Sequence, residues 1–219
     1  MNSCFIRAAA KPSKIGFIKS SYSETGSHGF PGSIGSLSVF AFELLKEASR
    51  LYRDKLRPYE AKKRIWKNDF SAGADWMRNC LSQLRMNDLT KRNDIELNAA
   101  GMQKYGLAIL PVLATLSLSI AAKSILLFCL GPVVFYLVEV QMVFLFPLLI
   151  DGEKHPFKAS RDLVRSQGGT WEALRIVLPV SWTMVFGGFF GQGFVRCWCI
   201  GCLAVLLWYE KARACRGKR

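Results

Sequence analysis

Two long apolar stretches, residues 105–150 and 171–209, dominate the hydrophobic pattern of the chain. As single helices rising 1.5 Å per residue they would measure roughly 69 Å and 58 Å. The hydrocarbon core of a bilayer is only about 30 Å thick, so each stretch predicts a helical hairpin that crosses a membrane twice. The expected fold class is all-α, a four-span helical membrane bundle of two hairpins with a basic helical amino-terminal segment.

Glycine and proline predict where each stretch turns. Gly131 and Pro132 predict the first turn, because glycine permits unusual dihedral angles and proline suits the first turn of a new helix. Gly191 and Gly193 predict the second turn on the same grounds. The spans of the membrane domain, residues 105–209, are then expected at about 105–129, 132–150, 171–190 and 194–209.

Before the first stretch, the composition changes from polar and glycine-rich to helically periodic. Residues 1–36 predict a disordered basic tail, whose first 23 residues also fit an organellar transit peptide. In the segment 37–104, apolar residues at helical spacing predict a basic amphipathic helix over 37–57 and a second helix from about 72 to 86. The first helix is expected either to pack within a small helical domain or to lie on an anionic leaflet.

Basic residues orient the predicted spans. Residues 1–104, 151–175 and 210–219, the last a basic tail, carry 18, 5 and 5 of the 30 Lys and Arg. An even number of crossings puts all three segments on one side, which the positive-inside rule makes the cytoplasm. We expect a bacterial inner membrane with both termini cytoplasmic; an organellar inner membrane is the alternative.

The net charge of +14 also constrains the partners of the chain. A basic excess of this size favours either nucleic acid or an anionic membrane surface. Next to four predicted spans, lipid is the simpler explanation. The expected partners are therefore a bilayer with anionic headgroups and a membrane-protein partner or a second copy, with no nucleic acid.

Two charged residues fall inside the first apolar stretch. Lys123 precedes Gly131 by eight residues and Glu139 follows it by eight, so a turn at Gly131 would bring both to similar depth. Charges within a bilayer tend to pair or to face a cavity. We expect a Lys123–Glu139 contact, either as an ion pair that positions the helices or as part of a proton or ion route.

Small residues in the second stretch indicate close helix packing. Gly187 and Gly191 form a G-x-x-x-G pair, which lets helices approach in lipid. The pair predicts contact between the third and fourth spans, with homodimerisation as the alternative. Cys197, Cys199 and Cys202 fall in the fourth span and are expected to pack as small apolar residues. We predict no metal site and no cofactor.

The segment between the second and third spans predicts a further helix that begins at Pro156. Lys158, Arg161 and Arg165 fall on one face of it, while apolar residues fall on another. The basic face is expected to contact lipid phosphates. A purely structural linker helix is the alternative.

The same segment carries a resemblance to known proteins. The run Phe146–Gly152, followed by Pro156–Arg165, resembles a linker in bacterial multi-pass proteins that are similar to the membrane domain of glycerophosphodiester phosphodiesterases. There, a span ends in a proline-containing apolar run, an acidic residue and glycine form a turn, and an amphipathic helix precedes the next span. The resemblance covers residues 146–170. It implies a membrane scaffold and no activity, because this sequence contains no phosphodiesterase catalytic domain.

The sequence contains none of the common catalytic signatures, such as a Walker-type phosphate loop, H-E-x-x-H, G-x-S-x-G or a dinucleotide fingerprint. We therefore expect an integral membrane protein that is not an enzyme, acting as a scaffold, an assembly factor or a lipid-contacting component. The alternative is a small-solute or ion transporter or channel with Lys123 and Glu139 at its intramembrane site.

Overall fold

The computed structural model describes residues 34–56, 70–87, 89, 94–191 and 193–216. These residues form helices, without a β-strand among them. Most of the predicted tail 1–36 lies outside the described residues, although its last three residues begin the first helix. The helices are α1 (Ile34–Leu51, continued by a π-helical turn over Tyr52–Leu56), α2 (Phe70–Arg85), α3 (Asp94–Ala122), α4 (Ile125–Gln141), α5 (Leu145–Ile150), α6 (Pro156–Ser166), α7 (Thr170–Phe186, continued by a 3-10 turn over Gly187–Phe190) and α8 (Phe194–Arg216).

The amphipathic helices before the first stretch are present, and they pack against the apolar helices that follow. The apolar stripe of α1 lies on α7 and α8, with Ala41, Leu44 and Ala48 completely buried. Helix α2 contacts α3, α5 and α8. One hydrophobic cluster therefore joins the amino-terminal helices to the carboxyl-terminal hairpin. A separate amino-terminal helical domain does not describe this arrangement, whereas contact of the basic face of α1 with an anionic leaflet stays a prediction.

The first hairpin turns at Lys123 and Ser124, so the prediction of a turn at Gly131 and Pro132 was wrong. Lys123 has a positive φ of 49° and Ser124 is extended, which ends α3 and reverses the chain before α4. Ser119 secures this turn, because its hydroxyl donates a hydrogen bond to the carbonyl of Ser124 over 2.8 Å. The second predicted span therefore begins earlier, at Ile125.

Gly131 has a packing role within α4. It is buried, and a Cβ placed on it would lie 3.5 Å from Thr115 Oγ1 and 3.7 Å from Val112 Cγ1 of α3. These are ordinary van der Waals distances, so Gly131 packs against α3 at a position where an alanine would also fit. Pro132 also lies inside α4, as apolar helices permit when neighbouring helices support them.

Two helical segments of the described chain are long and apolar enough to cross a membrane: Glu96–Ala122 and Ile125–Ile150. In the first segment, only 11% of an apolar stretch of 18 residues is buried, against 50% of the corresponding stretch in the second. The first segment is therefore an outer helix, unlike the buried core helix of a soluble protein. The second is interrupted by a turn at residues 142–144, after which α5 is almost wholly buried.

Large apolar side chains are exposed mainly on the segments that flank the two hairpin turns, residues 107–133 and 178–198. Ile120, Ile125 and Phe189 are 72%, 79% and 82% exposed. Burying apolar surface is the main driving force of folding in water, and so large an exposed apolar surface marks an interaction with lipid or protein.

The second hairpin turns where the glycines predict. Gly191 and Gly193 have positive φ angles of 76° and 82°, values that glycine adopts without strain. Of the predicted pair, only Gly187 lies at a close helix contact, because a Cβ on it would approach Cys197 Sγ to 2.6 Å. Gly191 would meet nothing within 4 Å. The expectation that both glycines pack helices therefore holds for Gly187, whereas Gly191 forms the turn.

Substituting Gly187 by Ala is expected to lower the free energy of unfolding by about 1–3 kcal/mol, since the new methyl group overlaps Cys197. Gly106 of α3 is a matched control, because a Cβ there meets nothing within 4 Å. Gly106→Ala should be neutral or stabilising by up to about 1 kcal/mol through helix propensity. Denaturant titration of the full chain in detergent micelles measures both, and equal effects would contradict a close contact at Gly187.

Candidate functional site

A buried ion pair joins the two helices of the first hairpin. Lys104 Nζ of α3 lies 2.5 Å from Glu139 Oε1 of α4, and the two side chains are only 7% and 17% exposed. The ammonium group also lies 5.4 Å and 5.6 Å from the ring centroids of Tyr105 and Phe146, within the range of cation–π attraction. The positive charge of Lys104 is therefore held by one carboxylate oxygen and two aromatic rings.

The predicted contact between Lys123 and Glu139 is not formed. Lys123 is exposed in the turn that precedes α4, whereas Glu139 lies near the other end of that helix. The separation along the helix axis is roughly 24 Å. The prediction was wrong because it rested on a turn at Gly131, and moving the turn to Lys123 changes which cation faces Glu139.

A cavity of about 520 Å³ adjoins the buried ion pair. Its lining combines Lys104, Glu139 and several tyrosine, cysteine and tryptophan side chains with a much larger number of apolar ones. This volume falls within the range of about 300–1,000 Å³ typical of small-molecule sites, which are mostly apolar with a few placed polar groups. All the main helices except α6 contribute to the wall.

Two polar atoms of the cavity-lining residues are buried without a hydrogen-bond partner among the described residues. They are Glu139 Oε2, the carboxylate oxygen that does not face Lys104, and the indole Nε1 of Trp208. Leaving a buried donor or acceptor unpaired costs roughly 1–3 kcal/mol, and more for a charged group. Two residues of the mainly apolar cavity lining thus each carry a buried polar atom whose hydrogen bond is unmet, an acceptor on Glu139 and a donor on Trp208.

A second cluster of charges ties α2, the end of α5 and α8 together. Arg85 Nη1 donates to Asp151 Oδ1 at 2.5 Å and Nη2 to Asp151 Oδ2 at 3.0 Å, a bidentate arrangement. Arg85 Nε also donates to Glu210 Oε1 at 3.1 Å. Asp151 further accepts hydrogen bonds from Tyr209 at 2.6 Å and from Arg213 at 3.0 Å. This cluster, named here the Arg85 cluster, was not predicted from the sequence.

The ionised form of Asp151 is stabilised within the Arg85 cluster. Burial alone would raise the pKa of Asp151, but hydrogen bonds from Arg85 and Tyr209 and the charges of Arg85 and Arg213 hold that pKa below its ordinary value of 3.8. Burial would lower the pKa of Arg85, yet its hydrogen bonds to Asp151 and Glu210 raise it above the ordinary value. Both shifts favour the charged forms of Arg85 and Asp151, so the two residues form a stable ion pair that joins α2 to the end of α5.

Acidification is expected to weaken the Arg85 cluster. Because the folded-state pKa of Asp151 is depressed, its stabilisation is complete above the ordinary value of 3.8 and is lost as pH falls through the folded-state pKa. The difference in free energy of unfolding between the wild type and Asp151→Asn should therefore be constant from about pH 7 to pH 5. This difference should become smaller below about pH 4. Thermal unfolding in detergent measures the difference. Glu153→Gln, at an exposed neighbouring position, is the control, and a difference that stayed constant to acid pH would contradict the assignment.

Helix α6 confirms the helix predicted to begin at Pro156, and its cations point outward. Lys158, Arg161 and Arg165 are all exposed, while Leu163 and Val164 are buried against the bundle. The hydroxyl of Ser160 donates to the carbonyl of Gln141 at 2.9 Å, which fixes α6 beside the end of α4. The three cations therefore form one exposed basic face, here called the α6 basic face.

The cysteines of the fourth predicted span behave as packing residues. Cys197, Cys199 and Cys202 are 1%, 4% and 8% exposed. Among the described residues, no group of three or more His, Cys, Asp and Glu side chains is placed to hold a metal ion.

Comparison of the chain with protein-family models, with curated proteins and with solved structures finds no significant match in any of the three.

Proposed function

We propose that this chain is a four-span integral membrane protein that acts as a non-catalytic, lipid-contacting scaffold, with α3, α4, α7 and α8 as its spans. The observation that carries the proposal is the exposed apolar surface along residues 107–133 and 178–198. Hydrocarbon is the solvent that accepts such side chains without cost, since lipid tails are as apolar as leucine. A bacterial inner membrane with both termini in the cytoplasm is the proposed location, and an organellar inner membrane is the alternative.

The second hairpin supports two further crossings. Residues 170–190 form α7 and its 3-10 extension, a rise of roughly 30 Å, and the 23 residues of α8 rise roughly 35 Å. Trp182, Phe186 and Phe189 are all exposed along α7 and its extension. These lengths suit a bilayer core of about 30 Å.

The α6 basic face supports contact with anionic headgroups. Exposed Lys and Arg beside a membrane span attract acidic lipids, and Trp171 nearby is 69% exposed, as aromatic residues of the interface are. The resemblance of residues 146–170 to a phosphodiesterase-associated membrane domain agrees with a scaffold without activity. A protein partner or a second copy is part of the same proposal.

Transport is the second candidate, and the cavity beside Glu139 is the observation that favours it. Its polar site would consist of Lys104 and Glu139, because Lys123 lies in the exposed turn and does not line the cavity. The direct ion pair favours the scaffold, since a carboxylate already paired with a lysine has only one oxygen left for a transported cation.

Topology is tested with epitope tags on both termini and, in separate variants, after Lys123 and after Gly193. The full chain is expected to resist alkaline carbonate extraction. Protease should remove the terminal tags only from inside-out vesicles, and the two turn tags only from right-side-out vesicles. Release by carbonate would contradict membrane insertion. A tag after Gly193 on the same side as the termini would leave two spans and overturn the four-span proposal.

Neutralising the α6 basic face in the triple variant K158Q/R161Q/R165Q is expected to lower the phosphatidylglycerol that co-purifies with the protein by about tenfold. The triple variant K46Q/R50Q/R53Q on α1 removes the same charge from other exposed positions and is the control. Lipid per protein is measured by mass spectrometry after gentle detergent extraction. Equal losses of phosphatidylglycerol in the two variants would show that the effect depends on net charge alone. That result would contradict specific lipid contact at the α6 basic face.

A further inference from the structure

The cavity beside the Lys104–Glu139 pair has the features of a ligand site, and the unpaired atoms of two lining residues indicate which head group would satisfy them. Glu139 Oε2 can only accept a hydrogen bond while Glu139 is ionised, and Trp208 Nε1 can only donate one. A hydroxyl group donates to the first atom, and a hydroxyl or ester oxygen accepts from the second. The site thus requires a head group with both a donor and an acceptor.

The charge of the cavity selects a neutral head group. The positive charge of Lys104 is already held by Glu139 Oε1 and by the rings of Tyr105 and Phe146. A carboxylate or phosphate would therefore find no unshared cation there and would face the remaining oxygen of Glu139. Burial of an unpaired anion is costly, which disfavours free fatty acids and phospholipid headgroups.

The walls of the cavity select an apolar body that arrives from the membrane. Most lining side chains are apolar, including Ile176, Val180 and Met184 of α7. Two other lining residues, Val185 and Trp198, are 41% and 43% exposed and belong to the exposed apolar surface of the second hairpin. The cavity therefore reaches the molecular surface where we place the hydrocarbon core, and an acyl chain can enter it sideways.

We propose that this cavity binds a neutral, hydroxyl-bearing, single-chain lipid of the monoacylglycerol type, with its head group at Glu139 and Trp208 and its chain among α4, α7 and α8. The inference rests on the lipid-contacting role proposed above and gives that role a specific ligand class. It adds a binding site to a membrane scaffold and involves no chemical step.

The test uses the full chain in phosphatidylcholine nanodiscs and a photoreactive monooleoylglycerol that carries a diazirine in its chain. Crosslinks are mapped by peptide mass spectrometry. Wild-type protein is expected to show crosslinks on cavity-lining peptides of α7 and α8 that unlabelled monooleoylglycerol abolishes. Oleate at the same concentration should leave them in place, because its carboxylate has no cation to pair with.

Three variants separate cavity binding from general lipid contact. Ser181→Phe places a ring on a lining position and is expected to lower about tenfold the crosslinking that unlabelled monooleoylglycerol abolishes. Leu178→Phe lies on the same helix but outside the lining, and it should leave this crosslinking unchanged. The double variant K104M/E139L removes the acceptor oxygen of Glu139 without leaving a lone charge. It should also weaken competition by unlabelled monooleoylglycerol about tenfold.

Three results would overturn the inference: wild-type crosslinks that monooleoylglycerol does not compete, equal competition by oleate, or an unchanged signal in Ser181→Phe. Carbonate extraction of the membranes from which each protein is purified reports membrane insertion independently. Failure of the lipid site with intact insertion would leave the scaffold proposal standing, whereas loss of insertion would contradict the proposed function itself.

Discussion

Replacing Arg85 by Met is expected to lower the free energy of unfolding by about 3 kcal/mol. Removing one partner of a buried ion pair costs roughly 3–5 kcal/mol, because the other charge is left buried and uncompensated. Arg85 and Asp151 are 15% and 12% exposed, so most of that cost applies. The lower end of the range is expected because Asp151 keeps its contacts with Tyr209 and Arg213.

Arg165→Met is the matched control for this substitution. Arg165 is 76% exposed and lies 4.0 Å from Asp162, so its loss should cost less than about 1 kcal/mol. Arg85→Lys should fall between the two variants, since lysine keeps the charge but loses the bidentate geometry. Denaturant titration of the full chain in detergent micelles gives all three values. An effect of Arg85→Met no larger than that of Arg165→Met would show that the Arg85 cluster does not fasten α2 to α8.

Replacing Lys104 by Met is expected to destabilise the chain by about 3–5 kcal/mol, because the carboxylate of Glu139 would be left in apolar surroundings without a cation. The double variant K104M/E139L should recover most of that loss. Replacing a whole buried ion pair by apolar residues of similar volume is often neutral or stabilising. The two substitutions are therefore expected to be strongly non-additive.

A double-mutant cycle over Lys104→Met, Glu139→Leu and the double variant measures this coupling in the same titration. A coupling free energy above about 1 kcal/mol would establish the contact in solution. The same cycle with Lys123→Met in place of Lys104→Met is the control, since Lys123 lies in the exposed turn and should show no coupling to Glu139. Coupling to Lys123 instead of Lys104 would contradict the register of the first hairpin.

Local patterns predicted several elements well. Apolar residues at helical spacing located α2 within two residues of its observed start, and Pro156 marked the first residue of α6. Gly191 and Gly193 marked the second turn because their positive φ angles are readily accessible only to glycine. In each case the cause lies within a few neighbouring residues, so the amino-acid order carries the information directly.

The same reasoning failed at the first turn because glycine and proline have more than one use. Gly131 is a buried residue inside α4, and the chain turns instead at Lys123, a residue without a strong turn preference. That error changed the depth of every residue in the hairpin. Had the turn been placed at Lys123, Lys104 would have fallen roughly 6 Å from the level of Glu139 along the helix, within reach of a long side chain.

The order of residues along the chain determines that the described part is helical, that its apolar stretches are too long for one crossing and that its cations cluster between them. These properties follow from local periodicity, from length and from composition. Tertiary packing decided which cation pairs with Glu139, that α1 lies on the second hairpin, and that Arg85 joins Asp151 to Glu210. Such contacts join residues far apart in sequence and depend on the register between helices, which side-chain packing sets and periodicity leaves open.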